Sequence, residues 1–256
     1  MSDEQAVLTG RRGRVLLITL NRPEARNSVN AALAAGVAAA LDELDGDDEL
    51  QVGVLTGAGK GFSAGMDLKA FVRGESPYVD GRGFAGIAQR AADKPLIAAI
   101  DGFAVAGGLE IALACDLIVA SRGAKLGIPE VKRSLVAAGG ALLRLPQRIP
   151  YHAAMEMALT GDPIGAERGY ELGLVNRLAD EGGAVDAALE LAEAVAANAP
   201  LALAASKRIL NEAPAWGPEE MWERQGGISG PVFVSEDARE GATAFAEKRE
   251  PVWKGR

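Results

Sequence analysis

The sequence predicts an α/β protein, on three observations. Short runs rich in leucine and β-branched residues recur at 15–20, 52–56, 96–100 and 117–120, each with the length and composition of a strand. Glycine-containing turns follow these runs, and segments of helical length and composition lie between them. Strands alternating with helices in this way point to crossover connections, the arrangement of the α/β class.

In chain order, the run at 15–20 closes on Asn21-Arg22-Pro23, and the alanine-rich stretch 30–44 then reads as a helix capped by Asn30. Residues 52–56 and 96–100 are the next two strands, 109–115 has the composition of a helix, and 117–120 returns to strand. Beyond Tyr151 the strand signal fades. Residues 153–159, 185–197 and 201–210 read as helices, with Pro200 marking the break between the last two. Residues 236–248 alternate charge with Ala242, Phe245 and Ala246, the pattern of an amphipathic helix. The expected organisation is a catalytic core over residues 1–195 and a helical C-terminal region over 196–256 used for association.

A chain of 256 residues that is 48% hydrophobic and 24% charged can bury one large core. Its formal charge of −8 argues against a nucleic-acid-binding surface, because phosphate binding needs a basic excess. An anionic ligand must therefore find a local basic patch. The single cysteine, Cys115, sits in an apolar run as a small core residue does, which fits a reducing compartment. No run approaches the ~18 uncharged apolar residues of a membrane span, and the N-terminus lacks a signal-type apolar region, so the expected location is the cytoplasm. The one histidine, His152, follows Pro150-Tyr151 as a helix-start residue would, and no second histidine exists to build a metal site with it.

Gly57-Ala58-Gly59-Lys60-Gly61 has the look of a nucleotide loop but not its chemistry. Val54 stands where a P-loop needs its first glycine, Gly61 where it needs a hydroxyl, and Phe62 where the dinucleotide fingerprint has its third glycine. A glycine turn with Phe62 packed below it accounts for the stretch. Residues 102–130 carry more. Gly107-Gly108 opens an apolar helix bearing Glu110, and a second acid follows in Ile128-Pro129-Glu130. Free N–H groups at a helix start host a developing negative charge, and small residues let a carbonyl approach the backbone. Two carboxylates beside such donors would supply acid and base for chemistry on a thioester.

At these residues the chain resembles the crotonase family, the enoyl-CoA hydratase and isomerase superfamily. The similar segments are Asn21-Arg22-Pro23-Glu24-Ala25-Arg26-Asn27, residues 62–68, 94–102 and 107–116, Pro129-Glu130, and residues 244–249, so the likeness covers almost the whole chain. It implies a crotonase-like spiral of ββα units with a C-terminal helical trimerisation region, assembled as a trimer or a dimer of trimers. It also implies an acyl-CoA thioester substrate, with coenzyme A as part of that substrate and no separate cofactor. Met66 and Gly107 would form the oxyanion hole through their N–H groups. Glu110 would position and deprotonate the water attacking C3, and Glu130 would deliver a proton to C2. The matching loops also imply substrate contacts at Ala25, Arg26, Ala64, Asp67, Leu68, Gly108, Pro129 and Ala138. Arg22, Arg26, Lys69 and Lys248 are the cations within or beside the motifs that could meet the coenzyme's phosphates.

The expected activity is reversible hydration of a 2-enoyl-CoA to a 3-hydroxyacyl-CoA. One loop departs from the commonest hydratase pattern: Ser134, Ala137 and Ala141 stand where typical relatives carry glycine, proline and glycine. That loop is expected to border the acyl pocket. The run Leu142-Leu143-Arg144-Leu145-Pro146 resembles the carnitinyl-CoA dehydratase branch, which retains both glutamates. A cationic acyl group would favour an aromatic or acidic lining, for which Phe71, Tyr78 and Phe84 are candidates near in sequence. Double-bond isomerisation, and a non-catalytic acyl-CoA-binding or RNA-associated role, are further readings that the fold allows. The acidic charge counts against RNA, and two retained acids count against a dead enzyme.

Overall fold

The computed structural model describes residues 5–256. Strands β1 (Val7–Arg12) and β2 (Val15–Leu20) form an antiparallel hairpin, and α1 (Ala31–Gly46) leads to β3 (Val52–Gly57). After α2 (Leu68–Val72) and the short pair β4 (Tyr78–Val79) and β5 (Gly83–Phe84) come β6 (Leu96–Ile100), β7 (Phe103–Val105), α3 (Gly107–Ala114), β8 (Leu117–Ser121) and β9 (Lys125–Gly127). Helices α4 (Ala141–Arg148) and α5 (Tyr151–Thr160), strand β10 (Ile164–Gly165), α6 (Ala166–Glu171) and β11 (Arg177–Ala179) follow. The chain ends in α7 (Ala184–Ala196), α8 (Pro200–Glu212), α9 (Met221–Phe233) and α10 (Glu236–Glu247).

The main sheet runs β1-β2-β3-β6-β8-β11 and is parallel from β2 onward, while a small sheet runs β10-β9-β7. One move is repeated. β6 leaves the main sheet, turns into β7 of the small sheet and delivers α3; β8 turns into β9 and delivers a 3-10 helix at Pro129–Arg133. This is the ββα repeat implied by the resemblance, and it carries Glu110 and Glu130 on consecutive units. The turn between β6 and β7 admits only glycine: Gly102 has φ +66°, and a Cβ there would lie 2.0 Å from the Lys60 carbonyl oxygen.

Alternation along the strands divides the core between two faces. Leu16, Ile18 and Leu20 of β2 pack in one cluster with Leu33, Val37 and Leu41 of α1. Val15, Val52, Val54, Ile97 and Val119 pack in the other with α7, which presents buried Ala184, Ala188, Ala192 and Ala196 at four-residue spacing. A stripe of small side chains lets α7 lie close on the sheet. Covering both faces is what central parallel strands require.

Asn30 caps α1 as expected, its side chain accepting the Leu33 N–H at 3.0 Å. The last helix forms where expected, with its named apolar residues turned outward. Ala242, Phe245 and Ala246 are exposed, Phe245 to 88%, while Asp237 and Ala244 are the buried residues of α10. The Asp237 carboxylate accepts the N–H groups of Lys254 at 2.7 Å and Gly255 at 2.9 Å, tying that face of the helix to the chain's end. Among the described residues no single helix is long and apolar enough to cross a membrane.

Candidate active site

Three loops meet where the two sheets turn. The first, at Arg22–Ser28, is organised by Asn27, which is fully buried with φ +52°. Its Oδ1 accepts the Arg22 N–H at 2.9 Å, and its Nδ2 donates to the carbonyls of Ala58 at 2.9 Å and Gly61 at 2.8 Å. Its own carbonyl accepts the Ser63 hydroxyl at 2.8 Å. Asn27 thus clamps this loop to the glycine turn after β3, a role that its motif position alone does not disclose. Phe62 is fully buried beside that turn, as expected.

The second loop runs through Ala64, Gly65, Met66 and Asp67. Ala64 donates its N–H to the Arg26 carbonyl at 3.0 Å, and Met66 is bridged to Val29. Asp67 caps α2, accepting the N–H groups of Lys69 and Ala70 at 3.1 Å each, and pairs with Arg22 at 3.0 Å. Burial pushes the Asp67 carboxyl up, but the Ala70 N–H and the Arg22 guanidinium outweigh it and hold the group below its ordinary value. Arg22, a candidate for the coenzyme's phosphates, is engaged by Asp67 and the Ser28 carbonyl and ties the two loops together. Arg26, Lys69 and Lys248 are exposed, as is Leu68 at the first turn of α2; Ala25 is half-buried.

The third loop is the start of α3. Ala106 has φ +52° and ψ −131°, a conformation costly for a residue with a Cβ, and it turns the chain so that the helix opens at Gly107. The N–H groups of Met66 and Gly107 donate to no acceptor among the described residues. Glycine is required at both surrounding contacts: a Cβ on Gly65 would lie 2.7 Å from the Gly107 nitrogen, and one on Gly108 would lie 2.1 Å from the Ser63 carbonyl oxygen. The ring of Phe84 closes the other side, where a Cβ on Gly107 would come within 2.5 Å of it, and Tyr78 meets Phe84 edge-on at 5.8 Å. The exposed Phe71 takes no part in this aromatic pair.

Glu110 is 4% exposed, one turn into α3. Its Oε1 accepts the Ala141 N–H at 3.2 Å, and the N–H groups of Gly139 and Gly140 turn toward the same carboxylate. Burial raises its pKa, opposed by those donors and by the positive charge of Arg144. Glu130 sits in the 3-10 helix behind half-buried Pro129, with Oε2 buried and without a hydrogen-bond partner among the described residues. Its carboxyl is pushed up to about 7, first by burial and then by the negative charge of Glu110, against the pull of its own backbone N–H. The two carboxyls therefore sit in unequal surroundings: three backbone donors and Arg144 favour the charge on Glu110, whereas Glu130 has only its own backbone N–H and faces the negative charge of Glu110.

The divergent loop lies against both acids. Val136 and Ala137, with Glu130, Leu142, Met155 and Leu159, line an apolar cavity of about 370 Å³. Gly139 fits under Glu110, where a Cβ would lie 2.5 Å from Oε2. Ala138, one of the implied substrate contacts, is exposed; the N–H groups that turn toward the Glu110 carboxylate are those of the next three residues. His152 stands exposed in the first turn of α5 against Tyr151, and the buried Cys115 thiol is pushed up to about 12 by burial. No cluster of metal-ligating side chains occurs among the described residues.

The family described as enoyl-CoA hydratase/isomerase matches residues 10–256. Enoyl-CoA hydratase EchA19 of Mycobacterium tuberculosis is 42% identical, across 97% of this chain and 96% of its own. Carnitinyl-CoA dehydratase of Salmonella enteritidis is 43% identical, across 96% and 97%. Among solved structures, enoyl-CoA hydratase from M. tuberculosis H37Rv superposes with a TM-score of 0.97 at 59% identity, covering 99% of this chain and 100% of that one. Carnitinyl-CoA hydratase from Mycobacterium avium gives 0.79 at 45% identity, covering 99% and 100%.

Proposed function

The chain belongs to the enoyl-CoA hydratase/isomerase family, and from that premise we propose how this member works as an enoyl-CoA hydratase. The thioester carbonyl accepts the N–H groups of Met66 and Gly107, which hold the enolate charge as it develops. Glu110, anionic and fixed by the Gly139–Ala141 donors, takes a proton from the water that attacks C3. Glu130, protonated, gives its proton to C2. The elements of water are then both in the 3-hydroxyacyl product, and the proton on Glu110 returns to Glu130 across the pair. No electron changes hands, so the chemistry calls for no redox partner, and coenzyme A enters only as part of the substrate. Ala25, Ala64, Leu68 and Gly108 border the substrate, with the exposed Arg26, Lys69 and Lys248 as partners for the coenzyme's phosphates.

The single observation that carries the reading is the unequal pair: an anchored Glu110 carboxylate beside a Glu130 carboxyl raised to about 7, whose Oε2 is buried with no hydrogen-bond partner among the described residues. A double-bond isomerase needs one acid that leaves and returns a proton; two acids in opposite states suit addition of water. The expected result is loss of the conjugated enone absorbance of crotonyl-CoA, with a gain of one water by mass spectrometry. Glu110→Gln and Glu130→Gln should each slow it by about 10²-fold or more. No loss with any 2-enoyl-CoA would overturn the reading, and tolerance of Glu110→Gln alone would favour isomerisation.

The Tyr78–Phe84 pair beside Gly107 supports a second acyl class. An aromatic edge near the carbonyl site suits a cationic acyl group, so crotonobetainyl-CoA belongs in the substrate panel. We infer a trimer or dimer of trimers from the exposed Trp222, Phe233 and Phe245 on α9 and α10, an apolar surface that a partner would cover. The acidic charge argues against nucleic acid, and the lone buried thiol of Cys115 fits the reducing cytoplasm.

A further inference from the structure

We propose that Arg144 is the positioning residue for water activation, holding the Glu110 carboxylate in place through the Gly139–Ala141 turn and by its own charge. The proposal rests on the hydratase reading and adds a residue outside the acids and the oxyanion hole. Arg144 lies in the first turn of α4 and reaches back over its own N-terminus. Its Nη2 donates to the Ala88 carbonyl at 2.6 Å, and its Nη1 lies where a Cβ on Gly140 would sit 2.2 Å away. Gly140, at φ +111°, thus leaves room for the guanidinium to press on the very turn whose N–H groups meet Glu110. Arg144 makes no ion pair with Glu110; it acts across the turn.

The surrounding charges leave this task to Arg144. Glu130 is the other titratable group acting on the Glu110 site, and it is an acid. Outward, Arg144 faces a cavity of about 920 Å³ between the core and α8–α9. There Asp116 is paired with Lys207 and Arg208 with Glu212, each at 2.7 Å. Arg90, Asp93 and Arg148 are the other charged residues of its lining. Arg148 acts on Arg144, Cys115 and Asp116 rather than on Glu110. Burial lowers the Arg144 pKa and the Glu110 charge raises it again, the reciprocal of the effect of Arg144 on Glu110.

The test compares Arg144→Gln, Arg144→Lys and Arg148→Gln in the full chain. Removing the positive charge makes Glu110 easier to protonate, so the acid limb of kcat/KM should move to higher pH in Arg144→Gln, with activity on that limb falling about tenfold and KM little changed. Arg144→Lys should restore most of the limb, and Arg148→Gln should leave it in place. A uniform loss at every pH, or an equal shift in Arg148→Gln, would overturn the proposal. Carboxyl infrared difference spectra in the Glu130→Gln background follow Glu110 directly and need no turnover. An unchanged Glu110 titration in Arg144→Gln sinks the proposal even if the hydratase reading stands. A shifted titration sustains it even if crotonyl-CoA is not the substrate.

Discussion

Gly65 and Gly107 approach so closely that a Cβ on Gly65 would lie 2.7 Å from the Gly107 nitrogen. These residues belong to loops 42 positions apart in sequence (107 − 65), yet their contact sets the spacing of the Met66 and Gly107 N–H groups, the two proposed oxyanion donors. Gly65 also has φ +89°, where a side chain is strained. Gly65→Ala should therefore spread the donors and lower kcat by roughly 10²–10³-fold, the loss expected for one oxyanion donor. Steady-state kinetics with circular dichroism would check it; full activity in a folded Gly65→Ala variant would contradict the assignment.

The pH profile should be one bell shared by both directions. In the proposed mechanism hydration needs the proton on Glu130 and dehydration needs it on Glu110, but each needs a single proton on the pair. With Glu130 raised to about 7, kcat/KM should fall in both directions as pH rises through about 7. Profiles measured from the enoyl and hydroxyacyl sides with different alkaline limbs would refute the shared-proton scheme.

The same carboxyl makes stability pH-dependent. Its pKa rises from 4.5 to about 7 on folding, so between those values the folded chain holds more proton than the unfolded one, and stability drops as pH rises. Glu130→Gln removes the buried charge. Its Tm should exceed that of the native protein at about pH 8, and the gap should close toward about pH 4.5. A constant gap across this range would show that Glu130 is not the titrating group.

Asn27→Ala should cost about 2–4 kcal/mol, because three side-chain hydrogen bonds vanish and the buried carbonyl of Gly61 loses a donor. Urea denaturation reads the loss. Because Asn27 holds the loop carrying Ala25 and Arg26, KM for the acyl-CoA should rise as well.

Phe233→Glu should shift the protein to smaller species in light scattering at unchanged secondary structure, since a charge on an exposed apolar helix face opposes burial at an interface. An unaltered mass would place the assembly surface elsewhere.

Periodicity made much of the fold legible. The strand at 15–20 and that at 96–100 stand where the apolar runs put them, and α8 begins at Pro200, the residue read as a break, because proline suits the first helical position. β1 escaped notice because it is an edge strand with Leu8, Thr9, Arg11 and Arg12 facing solvent. α9 escaped because Gly226, Gly227, Gly230 and Pro231 disfavour a helix locally. β7 and β9 are three residues each, too short for alternation to register, although they are the strands that deliver the two glutamates.

By itself, the sequence pointed to the groups proposed for the chemistry: two acids, the glycines around the backbone donors, and the loops that carry them. Only the tertiary structure decided their states. Whether a carboxyl is neutral or charged depends on what closes around it, and the elements closing around Glu110 come from residues 139–144, about thirty positions away. Desolvation, the coupling of Glu110 to Glu130 and the reach of Arg144 are properties of neighbours in space, which local pattern does not encode.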